Sequence, residues 1–313
     1  MVNFFDKLYS SIISKNVFFD KIRFYSLLRF LTRRMANTVL PLYFRLTANS
    51  PRYALHKTEK TNGRLIVSLT SFPARIDRLW LVIETLLRQT YKPDMVILWL
   101  SKEQFPQLET LPASLLNLQK RGLQIELREG DLRSHKKYYY TLESYPNDIM
   151  VTVDDDVFYN SHLLAYLLES ANAFPDAICC TNSKIITFAH NELLPYNQWD
   201  IKKKYLVPTY DTIPIGIGGV LYPIGALNGN VLDKDVFMNY CPNADDIWLK
   251  AMGLINHRKA VQTIYKSAYL PVLSKKNETL CLTNLQGGND KQIQAIRAYL
   301  IQKFGQDPFA RLN

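Results

Sequence analysis

No stretch of the chain reaches the roughly 18 uninterrupted apolar residues that a membrane-spanning helix requires. The N-terminus also lacks the charged-then-apolar order and the small-residue cleavage site of a signal peptide, so a cytoplasmic location is expected. Cysteine is scarce. Cys179, Cys180, Cys241 and Cys281 show no metal-ligand spacing, and a bridge between the adjacent Cys179 and Cys180 would be strained. They read as buried, reduced thiols. There is no internal repeat and no low-complexity run. A Gly-x-Gly-x-x-Gly fingerprint is missing too: the glycines of "IPIGIGGVLYPIGALN" have the wrong spacing, and no strand-to-helix unit brackets them.

What is present argues for a folded chain. With 313 residues and 47% hydrophobic content, it can bury a real core as one large α/β domain or two modest ones. The net charge of +10 is uneven: residues 1–50 hold eight Lys/Arg against Asp6 and Asp20, which places +6 of it there. The remainder is too weakly basic for the broad cationic face that nucleic acid needs, so no nucleic-acid partner is expected. Within 1–50, Phe4, Leu8, Ile12, Phe18, Ile22 and Tyr25 recur at helical spacing with Lys and Arg between them. Such a segment suits a helix lying on an anionic membrane surface through residues 1–35, or equally a helix packed on the protein's own body. On the first reading, deletion of residues 1–35 should abolish membrane binding and spare turnover.

From Arg64 the texture alternates. "RLIVSL", "DMVILWL", "LQIELRE" and "DIMVTV" read as buried strands, with "DRLWLVIETLLRQT", for which Asp77 is available as a cap, and "KKYYYTLESYP" as helices between them. Strands apolar on both faces and separated by helices predict a parallel sheet covered by helices. "FPDAICCTN" reads as a further strand, after which the chain is irregular to about residue 230.

The fourth strand runs into Asp154, Asp155 and Asp156, at the carboxyl end of a parallel strand where ligands bind. Adjacent carboxylates there raise one another's pKa unless a cation neutralises them. Acids at i and i+2 can share Mg²⁺ or Mn²⁺, which completes its shell with phosphate and water. A solvated turn that caps the next helix fits the same residues.

"VSLTSFPARIDRLWLVIETLLRQTYKPDMVILWLS", followed by "DDD", resembles GT-A-fold glycosyltransferases of the family-2 and exostosin types, over about residues 64–260. The resemblance implies an α/β fold with a mostly parallel sheet flanked by helices, behind an amphipathic N-terminal segment (1–50). The catalytic domain would span 60–313, with a nucleotide-binding half (60–160) and an acceptor-binding half (161–313). It implies Thr70, Ser71 and Arg75 near the nucleotide, Asp154 facing the ribose or donor sugar and sharing the metal, Asp156 as the main ligand of Mn²⁺ or Mg²⁺, and a less certain role for Asp155. Independently of the family, Lys136 and Lys137 in "RSHKKYYY" are placed to contact phosphates, or to be an ordinary solvated helix start.

In the second half, Gly216, Gly218, Gly219 and Gly225 let a backbone pass close to a ligand or simply form a tight loop, and Tyr222 offers a flat face to a sugar. Asp245 and Asp246 open "DIWLKAMGL", where acids suit the helix dipole. By the resemblance, Asp246 aligns with the acid that contacts the acceptor hydroxyl, and Asp245 stands where relatives carry Glu. Asp246 would be the base of an inverting reaction, or would only position the acceptor of a retaining one. Relatives close over the diphosphate with a late His or basic residue, for which His257, Lys275 and Lys276 are the candidates. The function so implied is hexosyl transfer from a nucleotide-diphosphate sugar, a UDP-sugar foremost, to a hydroxyl of a glycan or lipid-linked acceptor, as in bacterial surface polysaccharide synthesis. Two other classes compete. A phosphatase with Asp154 as nucleophile needs Thr or Val where Phe158 stands, and a non-enzymatic basic protein of the membrane surface leaves the aspartates unused.

Overall fold

The computed structural model describes residues 1–12, 23–56, 58–201, 206–274 and 287–310; Phe18, Ile22, Lys275, Lys276 and Cys281 lie outside them. A seven-stranded sheet is built from β1 (Leu65–Thr70), β2 (Met95–Ser101), β3 (Leu123–Arg128), β4 (Ile149–Thr152), β5 (Ile178–Cys180), β6 (Val220–Tyr222) and β7 (Ala260–Gln262). The order is β7-β5-β6-β4-β1-β2-β3, and only β6 runs antiparallel to its neighbours. The expected mostly parallel α/β sheet is therefore what forms. Every residue of β2 is buried, as a central strand requires, whereas edge strand β3 buries Leu123 and Ile125 and exposes Gln124 and Glu126.

Side-chain alternation along the strands divides the core into two layers. Leu65, Val67, Leu69, Val151, Cys179 and Leu221 face a layer with α1 (Val2–Ser11), α2 (Phe24–Leu46), α3 (Ile76–Leu87) and α5 (Leu163–Ala173). Met150, Ile178, Cys180, Val220 and Tyr222 face the other, which α4 (Lys136–Ser144), α6 (Lys234–Tyr240), α7 (Asp245–Ile255) and α8 (Asn289–Phe304) help to cover. Cys179, Cys180 and Cys241 are buried free thiols. Asp77 does not cap α3: the helix starts at Ile76 behind Arg75, without a side-chain cap, and Asp77 lies in the first turn, where its charge favours the helix dipole.

The N-terminal helices belong to this body. Val2 and Phe5 of α1 and Ala36, Leu40 and Phe44 of α2 enter the first layer, and full burial of a side chain such as Leu40 or Phe44 stabilises by roughly 1.5–3 kcal/mol. Asp6 accepts hydrogen bonds from Asn160 (2.8 Å) and Tyr265 (2.9 Å), and Asn37 donates to the Pro271 carbonyl and accepts from the Leu273 amide, both at 2.8 Å. Removing residues 1–35 would strip Val2 and Phe5 from the core and uncover the loop after the aspartates, so that truncation cannot be expected to spare turnover. No described helix is long and apolar enough to cross a membrane.

Candidate active site

The parallel register that sets Ser68 of β1 beside Thr152 of β4 carries Ser71 alongside Asp155 beyond the strand ends. There the Ser71 hydroxyl donates to Asp155 Oδ2 (2.6 Å) and Arg75 Nη1 donates to Asp155 Oδ1 (2.5 Å). The same Arg75 nitrogen lies 3.0 Å from Asp156 Oδ2. Asp155 is only 7% exposed and has both oxygens engaged, so it works as the anchor of the loop. Asp156 keeps Oδ1 buried with no hydrogen-bond partner among the described residues. Burial, reinforced by Asp154 and Asp155 and opposed by Arg75, pushes the Asp156 carboxyl up to about 6. Above the loop, the backbone of 270–272 pairs with 156–158: Phe158 N donates to Leu270 O and Val272 N to Asp156 O.

Antiparallel β6 brings the second half in. Val220 pairs with Thr152, so the glycine loop that precedes β6 arrives at the carboxyl end of β4. Gly216 N then donates to both carboxylate oxygens of Asp246 (3.1 and 3.0 Å), at the first turn of α7. Lys137, on the first turn of α4, places its ammonium 2.7 Å from Asp154 Oδ1 and 2.9 Å from Asp245 Oδ2. Burial works against that charge, but Asp154, Asp245 and Asp246 hold the Lys137 pKa well above its usual value. Burial likewise opposes the Asp245 anion, yet Lys137 and His135 keep it below the ordinary carboxylate range. For Asp246 burial wins, with Asp245 adding to it, and its pKa rises to about 7.

The structure thus gathers Ser71, Arg75, Lys137, Asp154, Asp155, Asp156, Asp245, Asp246 and the glycine loop at the carboxyl ends of the central strands. Arg75 and Lys137 supply much of the neutralising charge that three adjacent aspartates require. Lys136 and His257 lie apart from this cluster. Lys136 is 2% exposed and paired with Asp131, pointing away from Asp154, because consecutive helical residues diverge by about 100°. Lys137, enclosed between two carboxylates, is a charge-balancing group rather than an open phosphate contact. Thr70 donates to the Trp99 carbonyl at the end of β2. Tyr222, 3% exposed within the second core layer, offers no flat face to a ligand. Gly218 leaves no room for a Cβ, which would lie 2.5 Å from Asn182 Oδ1, and Gly219 has a φ of +98°; the loop therefore needs both glycines. His257 ends up beyond the far end of α7, with a φ of +53°.

Tyr159 was not legible as a site residue. Its hydroxyl accepts from the Asp154 amide (2.8 Å) and donates to the Ile217 carbonyl (3.0 Å), tying the aspartate loop to the glycine loop. A buried aromatic after an acidic triplet carries no sequence signal for that role.

Among the described residues no three His, Cys, Asp or Glu side chains form a preassembled metal cage. The orphaned Asp156 Oδ1 beside Asp154 nevertheless fits a hard divalent ion that takes one or two carboxylates and draws its other ligands from phosphate and water.

No family model matches the sequence, and no curated protein matches it. Among solved structures, the chain is similar to the mannosyltransferase PcManGT from Pyrobaculum calidifontis in complex with GDP-Man and Mn²⁺, at 11% identity and a TM-score of 0.47, covering 90% of this chain and 77% of that one. It is also similar to S. aureus TarS 1-349, at 11% identity and a TM-score of 0.43, covering 65% of this chain and 60% of that one.

Proposed function

We propose that the chain is a GT-A-type glycosyltransferase that moves a hexose from a nucleotide-diphosphate sugar, a UDP-sugar foremost, to a hydroxyl of a glycan or lipid-linked acceptor in bacterial surface polysaccharide synthesis. The observation that carries this reading is the convergence of Asp154 and Asp156, Lys137, and Asp245 and Asp246 at the carboxyl ends of the central strands. Asp156, through its free Oδ1, and Asp154 would hold Mn²⁺ or Mg²⁺, which when bound neutralises the charge that develops on a leaving diphosphate. Ser71 and Arg75 fix Asp155 and thereby the position of its two neighbours. Tyr159 locks the aspartate loop to the glycine loop. Asp246, with a pKa of about 7 and its carboxylate oriented by Gly216 N, accepts the proton of the acceptor hydroxyl near neutral pH. Such a base implies inversion at the anomeric carbon.

The test is equilibrium binding of UDP and GDP with Mn²⁺ and with EDTA, followed by a screen of nucleotide sugars for nucleoside diphosphate release. Metal-dependent binding that Asp156→Asn weakens by roughly 10- to 100-fold, with an unchanged melting curve, is the expected result. Binding that ignores both the metal and Asp156 would overturn the reading.

A further inference from the structure

Helix α2 presents two opposite faces. Thr32, Ala36, Leu40 and Phe44, four residues apart, are buried against the first core layer. On the opposite side Leu27, Leu31, Met35, Val39, Leu42 and Leu46 recur at three- and four-residue steps and stay exposed, Leu42 at 61% and Leu46 at 77%. An apolar stripe of that length on the outside of a folded domain calls for a partner. The charges of the helix narrow its chemistry. From Arg23 to Leu46 the chain carries Arg23, Arg29, Arg33, Arg34 and Arg45 and no Asp or Glu. Arg34 and Arg45 fall on one flank of the stripe. Arg33 and Arg34, with Leu273 and Ser274, line a cavity of about 230 Å³, and Arg33 Nε is buried with no hydrogen-bond partner among the described residues.

From these features we propose that the outer face of α2 docks on the surface of an anionic lipid leaflet. The six apolar side chains enter the headgroup boundary, the flanking arginines meet lipid phosphates, and the Arg33–Arg34 cavity receives one headgroup phosphate. A second copy of the chain is a poorer occupant, because two such faces would bring their flanking arginines, Arg34 and Arg45 of each copy, together without a compensating acid on the helix. A membrane in contact with α2 also bears on the site, since Asn37 of the same helix holds the backbone of 271–273 that pairs with the aspartate loop.

The experiment is co-sedimentation of the full chain with vesicles of phosphatidylcholine alone or mixed with phosphatidylglycerol, at low and high salt, beside sedimentation velocity without lipid. Binding to the mixed vesicles, weakened by salt and negligible on phosphatidylcholine, is expected. Arg34→Glu should lower the partition by roughly tenfold, and Leu31→Glu with Leu42→Glu should abolish it at an unchanged melting temperature. Should the double variant misfold, the milder Leu42→Ser, at an exposed position, replaces it and should weaken binding severalfold. The proposal is overturned by wild-type protein that stays in the supernatant, by binding indifferent to lipid charge or to these substitutions, or by a dimer that the same substitutions dissociate. None of these readouts depends on nucleotide binding or turnover, so the outcome is separate from that of the proposed activity.

Discussion

Lys137 reaches from α4 to Asp154 at 2.7 Å, a contact that joins a helix start to the end of the central strand. It also serves Asp245, so one ammonium compensates acids from both halves of the chain. Replacing Lys137 by Met should destabilise the fold by about 3–5 kcal/mol at neutral pH, because it leaves buried Asp245 and half-buried Asp154 without their shared cation. The deficit should shrink in acid, where Asp245 can protonate once Lys137 no longer holds its pKa down. Urea denaturation at pH 5 and pH 8 measures it; an equal deficit at the two values would remove Lys137 from the charge balance.

The raised pKa of Asp246 gives stability a definite slope. Between the unfolded value of about 4 and the folded value of about 7, the native state holds a proton that the unfolded chain has released. This contribution is complete below the lower value and is lost as pH rises through the upper one. Asp246→Asn should therefore match wild type in stability near pH 4 and exceed it by roughly 1–3 kcal/mol at pH 8. If the proposed activity holds, the same variant should lose sugar transfer by at least about a hundredfold.

Lys250 should act in the opposite sense. It is 3% exposed on α7, its Nζ donates to the Tyr210 carbonyl (2.6 Å), and burial lowers its pKa to about 7. A depressed lysine contributes stability at high pH that is lost as pH falls through its folded value. Lys250→Met should abolish the rise in stability between pH 7 and 10, and leave the variant more stable than wild type by ~1–3 kcal/mol near pH 6. Thermal melts across that range decide it.

Tyr159→Phe removes one hydroxyl that serves two loops. Losing it leaves the Asp154 amide and the Ile217 carbonyl without that partner, at a cost of about 1–3 kcal/mol. Because it loosens the aspartate loop, metal-dependent nucleotide affinity should fall along with stability. A change in stability alone would make Tyr159 a packing residue.

Much of the framework was legible from local pattern. β1, β2 and β4 are apolar runs bounded by polar turns, and α3 and α7 have helical periodicity, so their existence follows from side-chain spacing. Edge strand β3 departs from the two-sided apolar expectation because its Gln124 and Glu126 face solvent. Asp77 misled because an acid near a helix start satisfies both a cap and a first-turn position, and only backbone geometry separates them. Within the site, the aspartate triplet and the acidic pair stood out because clustered like charge is costly anywhere. Their compensators did not: nothing local distinguishes Lys137, which faces the acids, from Lys136, which turns away.

The sequence alone determined where carboxylates would crowd at a strand end, where the glycine loop would fall and which segment would carry excess positive charge, since each depends on residue type and short-range order. Only the tertiary structure decided that Arg75 and Lys137 pair with the triplet, that Asp155 is an anchor while Asp156 keeps an oxygen with no hydrogen-bond partner among the described residues, that Tyr222 is core, and that α2 packs one face while exposing the other. Those outcomes rest on register across a sheet that joins residues as distant as Thr152 and Val220. The physical reason is that burial and pairing, which set each charge's environment, arise from contacts between segments and not from their order along the chain.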